Sequence, residues 1–415
     1  MNIYYEKLEN GLEVILIPEK NKKNYYMTYA TKYGSIDTSF VPYDGKKEIK
    51  TPDGIAHFLE HKMFEQVDGV DPFQFFAKSG SVGNASTSFN STQYLCYGTK
   101  ACEENLDFLL SYVHDLHLTE ENVEKEKGII IEELKMYEDI PEYALQFAVR
   151  KNLYHIHPNR VDIGGTVESV SNTTKKELET CYHTFYQPNN MFLIVSGNYD
   201  EDEVLSVINK RLKPKKNNAS VIKRKQYKEP KAVFKKEETL RRDIAIDKAA
   251  VAFKFDQFDL PKLSDEELDI YLSMISSVIF GEASTFREKA REKNLLNSFT
   301  YEWETVDHYR SLILYLESKD IDAFLDLVLE EVNKIDISLE DIARIKKVWI
   351  ANSVKSTDYI RDIVNIIYSD IIRYNKINEE PIKLINSVNK QKVDRLIKQM
   401  DFSNKTIVKL LPEEK

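Results

Sequence analysis

His57, Glu60 and His61 stand within one five-residue segment, His57-Phe58-Leu59-Glu60-His61. On a helix, positions i and i+4 share a face and i+3 lies beside them, so this spacing aims two imidazoles and a carboxylate at one place. Two neutral imidazoles suit a tetrahedral zinc site, and the carboxylate is placed to touch a metal-bound water. The acid directly precedes the second His, the reverse of the commoner His-Glu-x-x-His order. The plain alternative is a helix that carries two unrelated surface histidines.

A catalytic zinc needs a third protein ligand and keeps its fourth position open. The segment 124–134 reads as a helix on which Glu126 and Glu133 are seven residues apart, on one face and separated by two turns. Glu133 has Ile129, Ile130, Met136 and Tyr137 as its three- and four-residue neighbours. Glu132 has Gly128, Ile129, Lys135 and Met136, a more solvated setting. A carboxylate on an apolar face needs compensation, which a metal supplies. Glu133 is therefore the expected ligand, and Glu126 the expected outer partner of a ligating His. The alternative is an ordinary acidic helix with lysine pairs.

These residues need elements to hold them. Residues 11–18, 25–33, 88–97 and 191–196 read as strands, and 102–115 and 120–139 as helices, with Pro141 interrupting or kinking the second. Thr51-Pro52-Asp53-Gly54 supplies turn chemistry before the motif helix. The stretch 213–236 carries ten Lys or Arg against one acid, Glu229. It reads as a solvated basic linker between a domain at 1–212 and another at 237–415, in preference to an anion-binding patch. The second part faintly repeats the first: 249–255 answers the second strand, 265–280 the motif helix, 286–316 the region 73–97, and 320–332 the helix after it. No His stands on the second copy's helix, so only one half could hold metal.

The chain has 415 residues, enough for two or three domains with real cores, and a net charge of −10 that argues against general nucleic-acid binding. No stretch is long and apolar enough to span a bilayer, and no cleavable signal opens the sequence. Cys96, Cys102 and Cys181 have no framework spacing and read as reduced thiols in a cytoplasmic protein. His114 and His117 read as a partly exposed helical pair, His155 and His157 as structural, and Gly164-Gly165 as a turn.

The chain resembles the pitrilysin/insulinase family of zinc peptidases, the inverzincins, and within it the short processing-peptidase-like bacterial branch. The resemblance rests on Asn10-Gly11-Leu12, His57 to His61, Asn84-Ala85-Ser86-Thr87, Glu126 and Glu133, Gly165-Thr166, and Tyr186 to Gly197. It implies an α+β fold of two structurally similar domains, each a mainly antiparallel sheet packed against helices, forming half of a clamshell. It implies one Zn2+ per chain, with Glu60 as general base on the zinc-bound water. It also implies that the edge near Asn84 and Ala85 takes the peptide substrate as an added strand, and that two chains enclose the substrate chamber.

The resemblance breaks in the second half. Family members with a complete site carry an Arg and a Tyr seven residues apart that hold substrate and stabilise the oxyanion. Arg291 fits the Arg position, but Ser298 stands at the Tyr position and Tyr301 is three residues late. The expectation is a zinc metalloendopeptidase subunit in a heterodimer, whose partner lacks the metal motif and supplies the Arg/Tyr pair, with a homodimer as runner-up. Rival readings are a leader-peptide maturation protease for ribosomally made modified peptides and a non-catalytic assembly subunit.

Overall fold

The computed structural model describes residues 3–217, 222–258, 263–306 and 308–413. They form an α+β fold in two compact units. The first comprises Met1–Lys135, Val161–Gln226 and Ser356–Ile377, and the second Met136–Arg160, Tyr227–Lys355 and Asn378–Lys415.

The first unit is built on a six-stranded sheet in the order Tyr4–Lys7, Glu13–Pro18, Met191–Gly197, Tyr25–Thr31, Thr92–Gly98, Val82–Thr87. All pairs are antiparallel except Glu13–Pro18 with Met191–Gly197. The second unit repeats the last five positions of this order: Glu237–Arg242, Lys405–Pro412, Asp247–Phe255, Tyr309–Ser318, Ser298–Val306, with the parallel pair in the same place. The repeat faintly visible in the sequence is thus a repeat of topology.

Both faces of each sheet are covered, which is why strands such as Glu13–Pro18 read as continuous apolar runs rather than alternations. In the first unit, Val14 and Leu16 enter a core that includes Phe58, Leu59 and Leu134, while Ile15 and Ile17 face the opposite way. There the helix Ile360–Tyr374 packs Ile360, Ile363, Val364, Ile367 and Ile371 against them, an i, i+3, i+4, i+7, i+11 stripe. Each such side chain taken from water contributes about 1.5–3 kcal/mol. In the second unit, Pro141–Leu153 does the same, with Leu145, Ala148, Val149 and Leu153 against Ala250, Ala252, Ile313 and Leu410.

Each unit therefore takes one covering helix from the other half of the sequence. The contiguous division into 1–212, 213–236 and 237–415 differs from these units for that reason. Pro141 does not kink a helix: it opens a new one, where its missing N–H costs nothing. The basic stretch also differs from a solvated linker, with residues 218–221 outside the described set. Lys223–Arg224 joins Ser39–Val41 and Ile49–Lys50 in a small sheet of the first unit, and Arg224 pairs with buried Asp37 at 2.7 Å. In the second unit, Glu229 is buried, accepts the main-chain N–H groups of His155, Ile156 and His157, and pairs with Lys254 at 3.0 Å.

The strand expected at 88–97 is a hairpin. Its strands are Val82–Thr87 and Thr92–Gly98, and Ser88 and Ser91 hydrogen-bond each other across the turn. Gly83 lies inside a strand because a Cβ there would run into the Phe76 ring.

Candidate metal centre

The motif helix spans Ile55–Met63. Gly54 caps its start at φ +84°, a conformation open to glycine, and a Cβ there would run into the Gly164 carbonyl. Phe58, Leu59 and Met63 anchor one face in the core and turn His57, Glu60 and His61 to the other. The second helix, Glu120–Glu138, buries Val123, Ile130 and Leu134 and carries both glutamates.

Four of these groups, His57, His61, Glu126 and Glu133, meet. His61 Nδ1 donates to Glu126 Oε1 at 2.9 Å, which fixes the ring and leaves Nε2 facing Glu133 Oε2 at 3.3 Å. His57 Nε2 lies 3.9 Å from Glu133 Oε1. One donor atom from each of His57, His61 and Glu133 lies within 4.8 Å of the others, the single grouping of this kind among the described residues. Zinc bonds of about 2.0–2.1 Å to N and O imply tetrahedral edges of about 3.3 Å, so this donor set fits the ion in size and chemistry. Glu132 points elsewhere: its side chain is 73% exposed and pairs with Lys135, whereas that of Glu133 is 25% exposed.

The electrostatics describe a site short of positive charge. Burial would lower the pKa of His61, but hydrogen bonds to Glu126 and Glu133 overcome it and raise the value to about 9. His57 is pushed down to about 4 by burial and by His61, so its lone pair is available. The hydrogen bond to His61 is the largest influence on Glu133 and holds it below the usual carboxylate range. Burial works to raise Glu126, and the contact with His61 and the Lys62 charge outweigh it.

Glu60 is buried, and burial raises its pKa despite a hydrogen bond of 2.6 Å from Thr87 Oγ1 to its Oε2. Thr87 ends the strand Val82–Thr87, at the edge of the sheet. Asn84 and Ala85 lie on that edge, the Asn84 Oδ1 accepting from Ala85 N at 2.9 Å. With Glu60, His61, Glu126 and the stacked rings of Phe64 and Phe73 they line a cavity of about 490 Å³.

The sequence pattern marks Thr87 only as part of Asn84-Ala85-Ser86-Thr87 and does not express its bond to Glu60. Phe64 and Phe73 had nothing to distinguish them from core aromatics. The remaining histidines are apart from this centre. His114 follows the helix Cys102–Tyr112 and bonds Tyr29 Oη at 2.7 Å, so it and His117 are partly exposed as expected but lie beyond the helix end. His155 bonds the Ala232 carbonyl, and His157 is buried. The three cysteines are free and buried.

In the second unit, Arg291 is 56% exposed with Glu282 at 3.7 Å. Ser298 begins the edge strand. Tyr301 packs near Phe280 and Phe299, with its hydroxyl 3.5 Å from Ser277 Oγ. Among the described residues no helix is long and apolar enough to cross a membrane.

Residues 46–167 match the family described as Insulinase (Peptidase family M16), and residues 172–348 match Peptidase M16 inactive domain. The uncharacterized zinc protease YmfH of Bacillus subtilis is 43% identical over 306 residues, covering 72% of this chain and 71% of that protein. An M16-like peptidase from Alicyclobacillus acidocaldarius superimposes with a TM-score of 0.93 at 29% identity, over 99% of this chain and 98% of that one. The periplasmic protease PqqL of Escherichia coli matches at TM-score 0.76 and 19% identity, with 98% of this chain covering 47% of that one.

Proposed function

The chain belongs to the insulinase family of peptidases, peptidase family M16, and on that premise we propose that it is a zinc metalloendopeptidase subunit that hydrolyses peptides or unfolded segments. The observation that carries this reading is His61, clamped on one nitrogen by Glu126 and facing Glu133 with the other. His57, His61 and Glu133 would hold the ion. Bound there, zinc polarises a scissile carbonyl and makes water a nucleophile near neutral pH.

The chain's own residues do the rest. Glu60, held through one oxygen by Thr87, has its other oxygen to accept the proton of the attacking water and pass it to the leaving amine. The unpaired side of Val82–Thr87 receives the peptide backbone as an added strand beside Asn84 and Ala85, with little demand on sequence. The cavity lined by the stacked Phe64 and Phe73 rings accommodates a neighbouring side chain of the peptide.

We further propose that the active form is a heterodimer. Ser298 stands where the family's Tyr is expected, and Tyr301 is engaged with Ser277 and its aromatic neighbours. A homologous partner without the metal motif would supply the Arg and Tyr. That one chain of PqqL spans about twice this length is consistent with two such halves acting together. The test is peptide hydrolysis by the chain alone and with its co-purifying partner. A gain of at least tens-fold is expected, since one oxyanion donor is worth about 10²–10³-fold. Full activity of a homodimer, abolished by Tyr301→Phe, would contradict the heterodimer.

A further inference from the structure

Lys62 follows His61 on the motif helix, at a position where the helical period calls for an apolar residue. Phe58 and Leu59, four and three residues before it, are both fully buried, and so is Lys62. A buried ammonium costs stability that a methionine of similar length would not, so packing alone does not account for it.

The partners of Lys62 are specific. Its Nζ donates to Glu65 Oε2 and, at 3.2 Å, to the main-chain carbonyl of Asn122 in the first turn of the glutamate helix. Asn122 is a fixed landing point. Its N–H donates to Thr119 Oγ1 at 3.0 Å, its Oδ1 accepts from Thr119 N at 2.9 Å, and its Nδ2 donates to the His117 carbonyl at 3.1 Å. In an α-helix the carbonyl of residue 122 also accepts the N–H of residue 126. The ammonium therefore grips the glutamate helix one turn before Glu126, from a residue adjacent to His61.

We propose that Lys62 is a positioning residue that sets the register of the motif helix against the glutamate helix, so that Glu126 meets His61 Nδ1 while Glu133 faces the Nε2 atoms of His57 and His61. Two contacts with little slack depend on that register, at 2.9 and 3.3 Å. A shift of one helix by a fraction of a turn would break both. The proposal rests on the zinc reading above and adds to it the residue that aligns the ligand helices.

The test uses the full chain. Zinc affinity is measured by competition with a chromophoric chelator, and the melting temperature is measured without metal. Outer partners of metal ligands are worth about 10–100-fold in affinity, so K62M should weaken zinc binding about tenfold. Its metal-free melting temperature should stay the same or rise, because a buried charge is removed. Wild-type affinity in K62M overturns the proposal. So does a loss of affinity that is matched by a fall in the metal-free melting temperature, which is what a merely structural lysine would give. If K62M does not fold, Thr119→Ala decides, because it loosens Asn122 from an exposed position: weaker zinc binding supports the role, and unchanged binding overturns it. A wild-type chain that binds no zinc would instead remove the metal reading itself, and this inference with it.

Discussion

The two units share a sheet order, including the position of the parallel pair, yet fill the same part of the scaffold differently. In the first, the helix Ile55–Met63 and the edge strand Val82–Thr87 frame charged groups: Glu60 held by Thr87, and His61 held by Glu126. In the second, the helix Asp265–Phe280 and the edge strand Ser298–Val306 frame rings. Phe280, Phe286 and Phe299 pack edge to face or tilted, and Trp303 Nε1 donates to Ser276 Oγ at 3.0 Å. The buried Arg287 there donates to the carbonyls of Phe280 and Phe299 and pairs with Glu282 at 3.0 Å. A repeated backbone thus supports two ways of filling one space. Rings fill it with packing energy, whereas converging carboxylates and imidazoles fill it only with a proton or a metal to balance them.

The comparison breaks most visibly at Glu60. Glu60→Gln keeps the shape of the side chain and removes the base. Hydrolysis should fall by about 10²–10⁴-fold while zinc and peptide are still bound. Turnover near the wild-type rate would assign the proton transfer elsewhere.

A smaller effect is expected at Glu126. Glu126→Gln should weaken zinc about 10–100-fold without removing it. It also carries a pH signature in the metal-free protein. The folded pKa of His61 is raised from 6.5 to about 9. Its contribution to stability is therefore complete below about pH 6.5 and is lost as pH rises through about 9. Melting curves across that window should show a decline in wild type that is shallower in Glu126→Gln. Equal slopes would mean that Glu126 is not the group holding the proton.

The second unit should respond in stability alone. Phe299→Ala opens a cavity among rings and should cost about 3–5 kcal/mol, with no change in zinc stoichiometry. Loss of zinc in that variant would blur the division between the two units.

Much of the site was legible because helical periodicity is local. Five residues place His57, Glu60 and His61 together, and the neighbours of Glu133 and Glu132 predict which acid is exposed. The repeat was legible only in outline, because topology depends on pairings far apart in sequence. The exchange of Pro141–Leu153 and Ile360–Tyr374 was not legible. An apolar stripe states that a helix will be covered, not which sheet will cover it. The strand Val82–Thr87 is absent from the expected strands because the reason for Gly83 is the Phe76 ring, a contact that the sequence pattern does not express. Glu229 was hidden in the same way: among ten cations it resembled charge balance, while in the structure it is buried against three main-chain N–H groups and Lys254.

The most direct test of the metal centre is metal analysis of purified chains carrying single substitutions in the glutamate helix. One zinc per chain is expected in wild type, retained in Glu132→Ala and lost in Glu133→Ala. Zinc lost from Glu132→Ala and kept by Glu133→Ala would contradict this expectation.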